Sequence, residues 1–269
     1  MNPGNALQCA KCGARFYVPA RQWTRDEWKD ISRVRTGFLL AAAGVVLVWF
    51  LDLGSVAPFL AVSMGSGLQV LAAAGWAVGA AGAVLLVGGT FLAFAGRRPF
   101  EYTYGGKAAL ALILLPLSLL FTFLALRFLM GNVDAFLAEA DLLGVAWMFK
   151  SVLLWSFVLP MLAVLGVLLL AFDLQDGRGL RLAFIGVLVF AAAGLAGVLM
   201  GWLLIDLAPQ SPVASTFYGA IAPALLLQRF LDIAWRLVFA VVLVKTYRRI
   251  ARGEIPVPPE MGAPAYVSA

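Results

Sequence analysis

Six long apolar runs, separated by short charged loops, account for most of this chain of 269 residues. A helix needs about 20 apolar residues to cross the roughly 30 Å hydrocarbon core of a bilayer, and the runs have lengths of this order. Because lipid offers no hydrogen-bond partners, each crossing segment is expected to be an α-helix. The sequence therefore predicts an all-α membrane protein built as a bundle of six transmembrane helices. The runs cover residues 36–53, 68–95, 108–130, 152–172, 182–205 and 222–244.

The lysines and arginines predict how these helices are oriented. Cytoplasmic loops of membrane proteins are enriched in basic residues, and most of the 20 here fall in the two terminal tails and in the second and fourth loops. We therefore expect three hairpins that open outward, both termini in the cytoplasm, and a location in the cytoplasmic (inner) membrane of a bacterium. The opposite loops are mainly acidic, with Asp52, Asp134, Glu139, Asp141 and Asp206.

The absence of histidine removes several kinds of chemistry from consideration. Haem ligation by histidine, histidine acid–base catalysis and a Ser-His-Asp triad all need an imidazole. The net charge of +6 comes from basic residues beside the membrane spans. We therefore expect the lipid bilayer as a partner, and no nucleic acid.

Cys9 and Cys12 form the only Cys-x-x-Cys motif of the chain. Such a turn, with glycine after the second cysteine, can hold a metal through two thiolates. The run CGxxFxVP that starts at Cys12 resembles the opening of the zinc-ribbon heads of many bacterial proteins. The resemblance implies a cytoplasmic zinc knuckle over residues 1–20. The second Cys-x-x-Cys of such heads is absent. Two further ligands must therefore come from another copy, a partner, or Asp26 and Glu27, and the alternative is a knuckle without metal.

Three further segments follow the knuckle in the predicted domain organisation. Residues 21–35 are expected to form an interfacial amphipathic helix, opened by a capping box at Thr24 and Glu27. Residues 36–248 make up the six-helix transmembrane domain. The proline-rich residues 249–269 are expected to be a disordered cytoplasmic tail.

Small residues predict where the helices pack closely. Gly75 and Gly79 are four residues apart in the second run, and Gly197 and Gly201 have the same spacing in the fifth. Helix backbones can approach closely at such positions, where dispersion drives association in lipid. The spacing leaves open whether the facing helix belongs to this chain or to another protein.

The sixth apolar run contains an unusual charge cluster formed by Arg229, Asp232 and Arg236. These residues fall on one helix face, and charges this deep in a bilayer need partners or water. Asp232 has the spacing to bridge both arginines, which leaves one positive charge for Asp52 or Asp206. The functional interpretation is an anion-attracting cavity or an ion path. The structural interpretation is a buried network that fixes helix register or docks a partner.

The loop from Asp173 to Arg181 resembles the first half of the CDP-alcohol phosphotransferase motif, D-x-x-D-G-x-x-A-R. Asp173, Asp176, Gly177 and Arg181 match the motif, whereas Leu180 replaces its alanine. The resemblance implies a divalent metal held by the carboxylates. The second half of the motif is missing, which argues against this activity because the remaining carboxylates are absent.

These observations favour a non-enzymatic membrane protein, an accessory or scaffolding subunit of a larger membrane assembly. We expect protein partners or a homo-oligomer in addition to the lipid bilayer. The alternative is a small ion or anion transporter or channel that uses Arg229, Asp232 and Arg236. A second alternative is a lipid enzyme similar to the CDP-alcohol phosphotransferases.

Overall fold

The computed structural model describes residues 24–54, 68–100, 102–138, 142–207 and 214–256, and these residues contain no β-strand. The helices are α1 (Arg25–Leu47), α2 (Leu68–Ala95), α3 (Tyr102–Ala138), α4 (Leu142–Ala171), α5 (Gly177–Leu207) and α6 (Ala214–Ala251). Helix α1 continues after a turn at Val48 as a further helical segment over residues 49–54. A 3₁₀ turn, Phe172–Leu174, connects α4 to α5.

The expected all-helical, apolar architecture is confirmed over the described residues. Five of the helical segments, α1 with its continuation and α2 to α5, are long and apolar enough to cross a membrane. Helix α6 is not among them, and its middle contains Gln228 and the three charged residues of the sixth apolar run. Many large apolar side chains point away from the bundle, as in Val84, Ile113 and Phe184. Such an exposed apolar surface is typical of contact with lipid or with a partner.

The start of α1 follows directly from its sequence. The predicted capping box is confirmed: the Thr24 N–H donates to the Glu27 carboxylate at 2.7 Å, and the Glu27 N–H donates to the Thr24 hydroxyl at 3.2 Å. The helix then runs without a break through residue 35, where the interfacial helix was expected to give way to the first span. In this first part of α1, three residues are buried: Asp30, Ile31 and Val34. Residues 25–35 therefore pack against the other helices of the bundle.

Glycines repeated at intervals of seven residues join α1 to α2. Gly37 lies opposite Gly89, and Gly44 lies opposite Gly82 and Leu86. A methyl group on Gly37 would lie 2.5 Å from the Gly89 carbonyl oxygen, and one on Gly89 would lie 2.6 Å from the Ala41 nitrogen. A seven-residue spacing keeps one face of each helix toward the other in a left-handed pair. These two backbones are therefore as close as glycine permits.

The four glycines selected from the sequence all pack inside this chain. Gly75 and Gly79 face the helical continuation of α1: a methyl group on Gly75 would lie 3.1 Å from the Phe50 carbonyl oxygen, and Gly79 lies against Leu51. A methyl group on Gly197 would lie 2.9 Å from the Gln228 side chain of α6. Gly201 lies against Leu153 of α4 in the same way. The facing helices therefore belong to the same chain at all four positions.

We predict that Gly89→Ala destabilises the protein, while Gly88→Ala does not. The added methyl group at Gly89 meets the backbone of α1, and overpacking of this kind typically costs about 1–3 kcal/mol. The same change at the neighbouring Gly88 meets nothing within 4 Å, and alanine has the higher helix propensity. Thermal unfolding of both variants in the same detergent is the measurement. Equal midpoints would show that α1 and α2 do not pack in this register.

Candidate functional site

A buried ion pair joins the end of α1 to the middle of α6. Arg236 Nη2 donates to Asp52 Oδ2 at 2.5 Å, and Arg236 Nη1 donates to the Val45 carbonyl at 3.4 Å. Both charged side chains are more than nine-tenths buried. Breaking such a pair leaves an uncompensated buried charge, so each residue depends on the other.

A second pair lies one helical turn further toward the start of α6. Arg229 Nη1 donates to Asp232 Oδ2 at 3.4 Å, and both side chains are buried. The Trp49 indole N–H donates to the Arg229 carbonyl at 2.6 Å. Helix α1 thus meets α6 through a tryptophan hydrogen bond as well as through the ion pair of Asp52 and Arg236.

The charge cluster of α6 is divided differently from the arrangement expected from sequence. Asp232 was expected to bridge both arginines, but it bonds to Arg229 alone, while Arg236 takes Asp52 as its partner. Asp206, the other proposed partner, pairs with Lys150 at 2.5 Å instead. Spacing within one helix identified the charged residues, but only the position of α1 decides which carboxylate each arginine meets.

A cavity of about 410 Å³ lies beside the pair of Asp52 and Arg236. Five helices contribute to its wall: α1 with its continuation, α2, α3, α4 and α6. The wall is mostly apolar, and its volume falls within the range of small-molecule sites. Sequence reasoning did not find this cavity, because no periodicity shows where helices stay apart. Its most informative wall residues are Asp52, Trp76, Ser118, Pro160, Trp235 and Arg236.

A separate buried amide connects α6 to α4. Gln228 is fully buried, and its Nε2 donates to Ser156 Oγ at 2.8 Å and to the Leu153 carbonyl at 3.4 Å. Gly197 of α5 packs on the same side chain. Gln228 was not predicted as a contact residue from the sequence, although a lone amide in an apolar run indicates an interhelical hydrogen bond.

The two carboxylates of the phosphotransferase-like loop are paired with lysines from other helices. Asp173 accepts a hydrogen bond from Lys107 of α3, and Asp176 accepts one from Lys245 of α6 at 2.6 Å. The Gly179 N–H also donates to Asp176 at 2.6 Å. The hydrogen bond from Lys245 and that from Gly179 hold the pKa of Asp176 below its ordinary value. Both carboxylates therefore link the connection between α4 and α5 to α3 and α6.

The predicted zinc ligands Cys9 and Cys12, with the rest of the knuckle, lie outside the described residues. Within the described ranges, no three Cys, Asp or Glu residues are grouped as metal ligands. The predicted disordered tail is described only up to residue 256. In that part α6 extends to Ala251, and Arg249 pairs with Glu254 at 3.2 Å. Residues 257–269 are outside the described part.

Comparisons with protein-family models, with curated proteins and with solved structures find no match to this chain. The ion pairs and the cavity are therefore the features of this chain from which a function can be inferred.

We predict that Arg236→Gln lowers the free energy of unfolding by about 3 kcal/mol, since it leaves the Asp52 carboxylate buried without its cation. Lys150→Gln is the matched control, because its partner Asp206 is 61% exposed and such a pair contributes less than about 1 kcal/mol. Asp52→Asn combined with Arg236→Gln should recover part of the loss, as a double-mutant cycle would measure. Equal effects at Arg236 and Lys150 would contradict the buried pair.

We predict that Asp176→Asn lowers the thermal midpoint at neutral pH but not in acid. The pKa of Asp176 is depressed in the folded protein, so its contribution is present above the ordinary carboxylate pKa of about 4 and is lost as the pH falls through the folded-state value. Asp26→Asn, at an exposed carboxylate, is the control. The lipid composition of the host membrane should not change, and a change would instead support the phosphotransferase alternative.

Proposed function

We propose that this chain is a six-span protein of a bacterial cytoplasmic membrane that carries a small molecule through the cavity beside Asp52 and Arg236. In this proposal the protein is a transporter, and its substrate binds in the cavity in the middle of the bundle. The observation that supports it most is the position of the buried ion pair in the cavity wall. Charged residues inside a membrane bundle are costly and commonly mark a substrate pathway.

The sixth span in this proposal is α6, which runs antiparallel beside α1. Arg229 lies next to Trp49 near the end of α1, and the opposite end of α6 reaches the α4–α5 connection through Lys245. Because α1 with its continuation is long enough to cross a membrane, a helix that follows it along this length occupies the same depth. The charged side chains of α6 form buried ion pairs within the bundle. This pairing offsets the free-energy cost of placing charges in a membrane, so α6 can cross it.

The cytoplasmic placement of both termini rests on the basic residues at one end of the bundle. Lys107 of α3 and Lys245 and Arg249 of α6 all contact the connection between α4 and α5. Cytoplasmic loops are the ones enriched in such residues. We therefore propose a topology of three hairpins that open outward, with both termini at the basic, cytoplasmic end of the bundle.

The hypothesis of an accessory subunit assigns a different role to the same charged residues. It needs Arg229, Asp232 and Arg236 to dock a partner, whereas each of them has a partner inside this chain. The glycines Gly75, Gly79, Gly197 and Gly201 are likewise occupied by helices of the same chain. We therefore favour transport, and a scaffolding role would have to use other surfaces.

We predict that cysteines placed in the cavity react with a charged, water-soluble methanethiosulfonate, since a transporter exposes its pathway to water in at least one state. The variants are Ala83→Cys and Ala163→Cys in a background with Cys9→Ser and Cys12→Ser, labelled from each side of the membrane in separate vesicle preparations. The thiolate is the reactive form, so a thiol in lipid or in a packed core should not react.

Two control positions define the background of this labelling. Leu188→Cys lies on the exposed outer face of α5, and Leu170→Cys replaces a fully buried residue of the core. Neither should be labelled. If the cavity thiols also fail to react from both sides, the cavity is closed to water and the transporter proposal is wrong.

A further inference from the structure

The cavity reaches the outer surface of the bundle between α2 and α3. Its wall includes Leu120 and Phe123 of α3, which are 51% and 49% exposed. Ala80 of α2 also lines the cavity and is exposed. Other residues of the same wall, Leu115 of α3 and Val167 of α4, are buried in the core. The cavity therefore extends from the core to a side opening, which is formed by Ala80, Leu120 and Phe123.

This side opening lies at the depth of the lipid chains. Its residues belong to the membrane-length segments Ala73–Ala95 of α2 and Thr103–Ala125 of α3. Segments of this length match the hydrocarbon core of a bilayer, which is about 30 Å thick. In the bilayer the opening therefore faces hydrocarbon, and a molecule that belongs to the membrane reaches it without crossing water.

The cavity is also polar toward one end only. In the proposed topology α1 runs outward, so the pair of Asp52 and Arg236 lies toward the outer end of the cavity, and Val45 lies nearer the cytoplasm. On α2, the wall residues Trp76 and Leu86 are separated by a rise of about 15 Å, the thickness of about one leaflet. A lipid of the outer leaflet has the same arrangement, with its polar end outward and its chain toward the middle of the bilayer.

The charges in the wall do not favour a free ion. Asp52 neutralises the guanidinium of Arg236, so this pair offers no net charge. The Ser118 hydroxyl already donates to the Leu159 carbonyl at 3.1 Å. An ion would lose its water and find little to replace it on the apolar part of the wall, whereas a hydrocarbon chain needs no polar contact there.

We propose that the cavity binds the hydrocarbon chain of a membrane lipid, which enters from the outer leaflet through the side opening between α2 and α3. This inference rests on the proposed function and names the class of its substrate. The chain lies against the buried part of the wall at Leu115 and Val167, and the polar part of the lipid stays toward the outer end of the cavity.

A photoreactive lipid tests this binding on the full-length protein in nanodiscs. The probe is a phosphatidylcholine with a diazirine near the methyl end of one acyl chain. Irradiation produces a carbene that inserts into nearby C–H bonds, and peptide mass spectrometry locates the adducts. We expect adducts on Leu115 and Val167, in addition to those on the exposed outer face at residues such as Phe184. Leu170 and Leu243 are fully buried outside the cavity wall and should stay unlabelled.

Two neighbouring alanines of α2 provide a matched pair of variants. Ala80→Phe places a ring in the side opening, whereas Ala81→Phe adds the same ring at an exposed position that does not line the cavity. We expect Ala80→Phe to reduce the adducts on Leu115 and Val167 to the background level at Leu170, while Phe184 stays labelled. Ala81→Phe should label like the unchanged protein. Equal thermal midpoints of the two variants verify that both remain folded.

The outcomes separate this inference from the proposed function. Labelling of Phe184 without Leu115 and Val167 would overturn the binding of a lipid chain, and equal labelling in Ala80→Phe and Ala81→Phe would overturn entry through the side opening. In either case reactive cavity cysteines would still support transport, with a substrate that arrives by another route. Unreactive cysteines would overturn transport itself, and adducts on Leu115 and Val167 would then support a lipid site without transport.

Discussion

The ion pair between Asp52 and Arg236 determines how α1 sits against α6. Both charges are buried, so the two helices cannot slide past each other without separating the carboxylate from the guanidinium, at a cost of several kcal/mol. The Trp49 hydrogen bond to the Arg229 carbonyl reinforces this alignment one turn away. The other side of α1 is fixed just as firmly, since Gly37 and Gly44 bring its backbone against α2.

The cavity lies where two kinds of packing around α1 meet, the glycine contacts with α2 and the polar contacts with α6. Gly37 and Gly44 of α1 pack directly on the backbone of α2. Trp49 and Asp52 make the polar contacts with α6. Helices α3 and α4 close the remaining side with larger residues, Leu115 and Leu119 among them. A cavity remains where these helices meet, and the buried pair of Asp52 and Arg236 lies in its wall. The same residues that fix the bundle thus give the cavity its only charged pair among the described wall residues.

Polar contacts at the other end of the bundle have a structural role. Lys107 and Lys245 reach the α4–α5 connection from two different helices, and Arg249 donates to the Leu174 carbonyl at 2.6 Å. The loop that resembles half of a phosphotransferase motif is therefore a junction between helices. The carboxylates and glycines that produce the resemblance also form a tight turn, and both carboxylates are paired with lysines from other helices.

The sequence is enough to predict the helical class, the apolar helices of membrane length and the start of α1, because hydrophobic runs and the Thr24–Glu27 capping box act locally. It also identified Arg229, Asp232 and Arg236 as unusual. The packing of helices that are distant in the chain was needed to show that Arg236 pairs with Asp52, that Gln228 bonds to Ser156, and that Trp235 lies beside a cavity. Partner choice and empty space depend on how distant helices approach one another, and this information is not contained in the periodicity of any single helix.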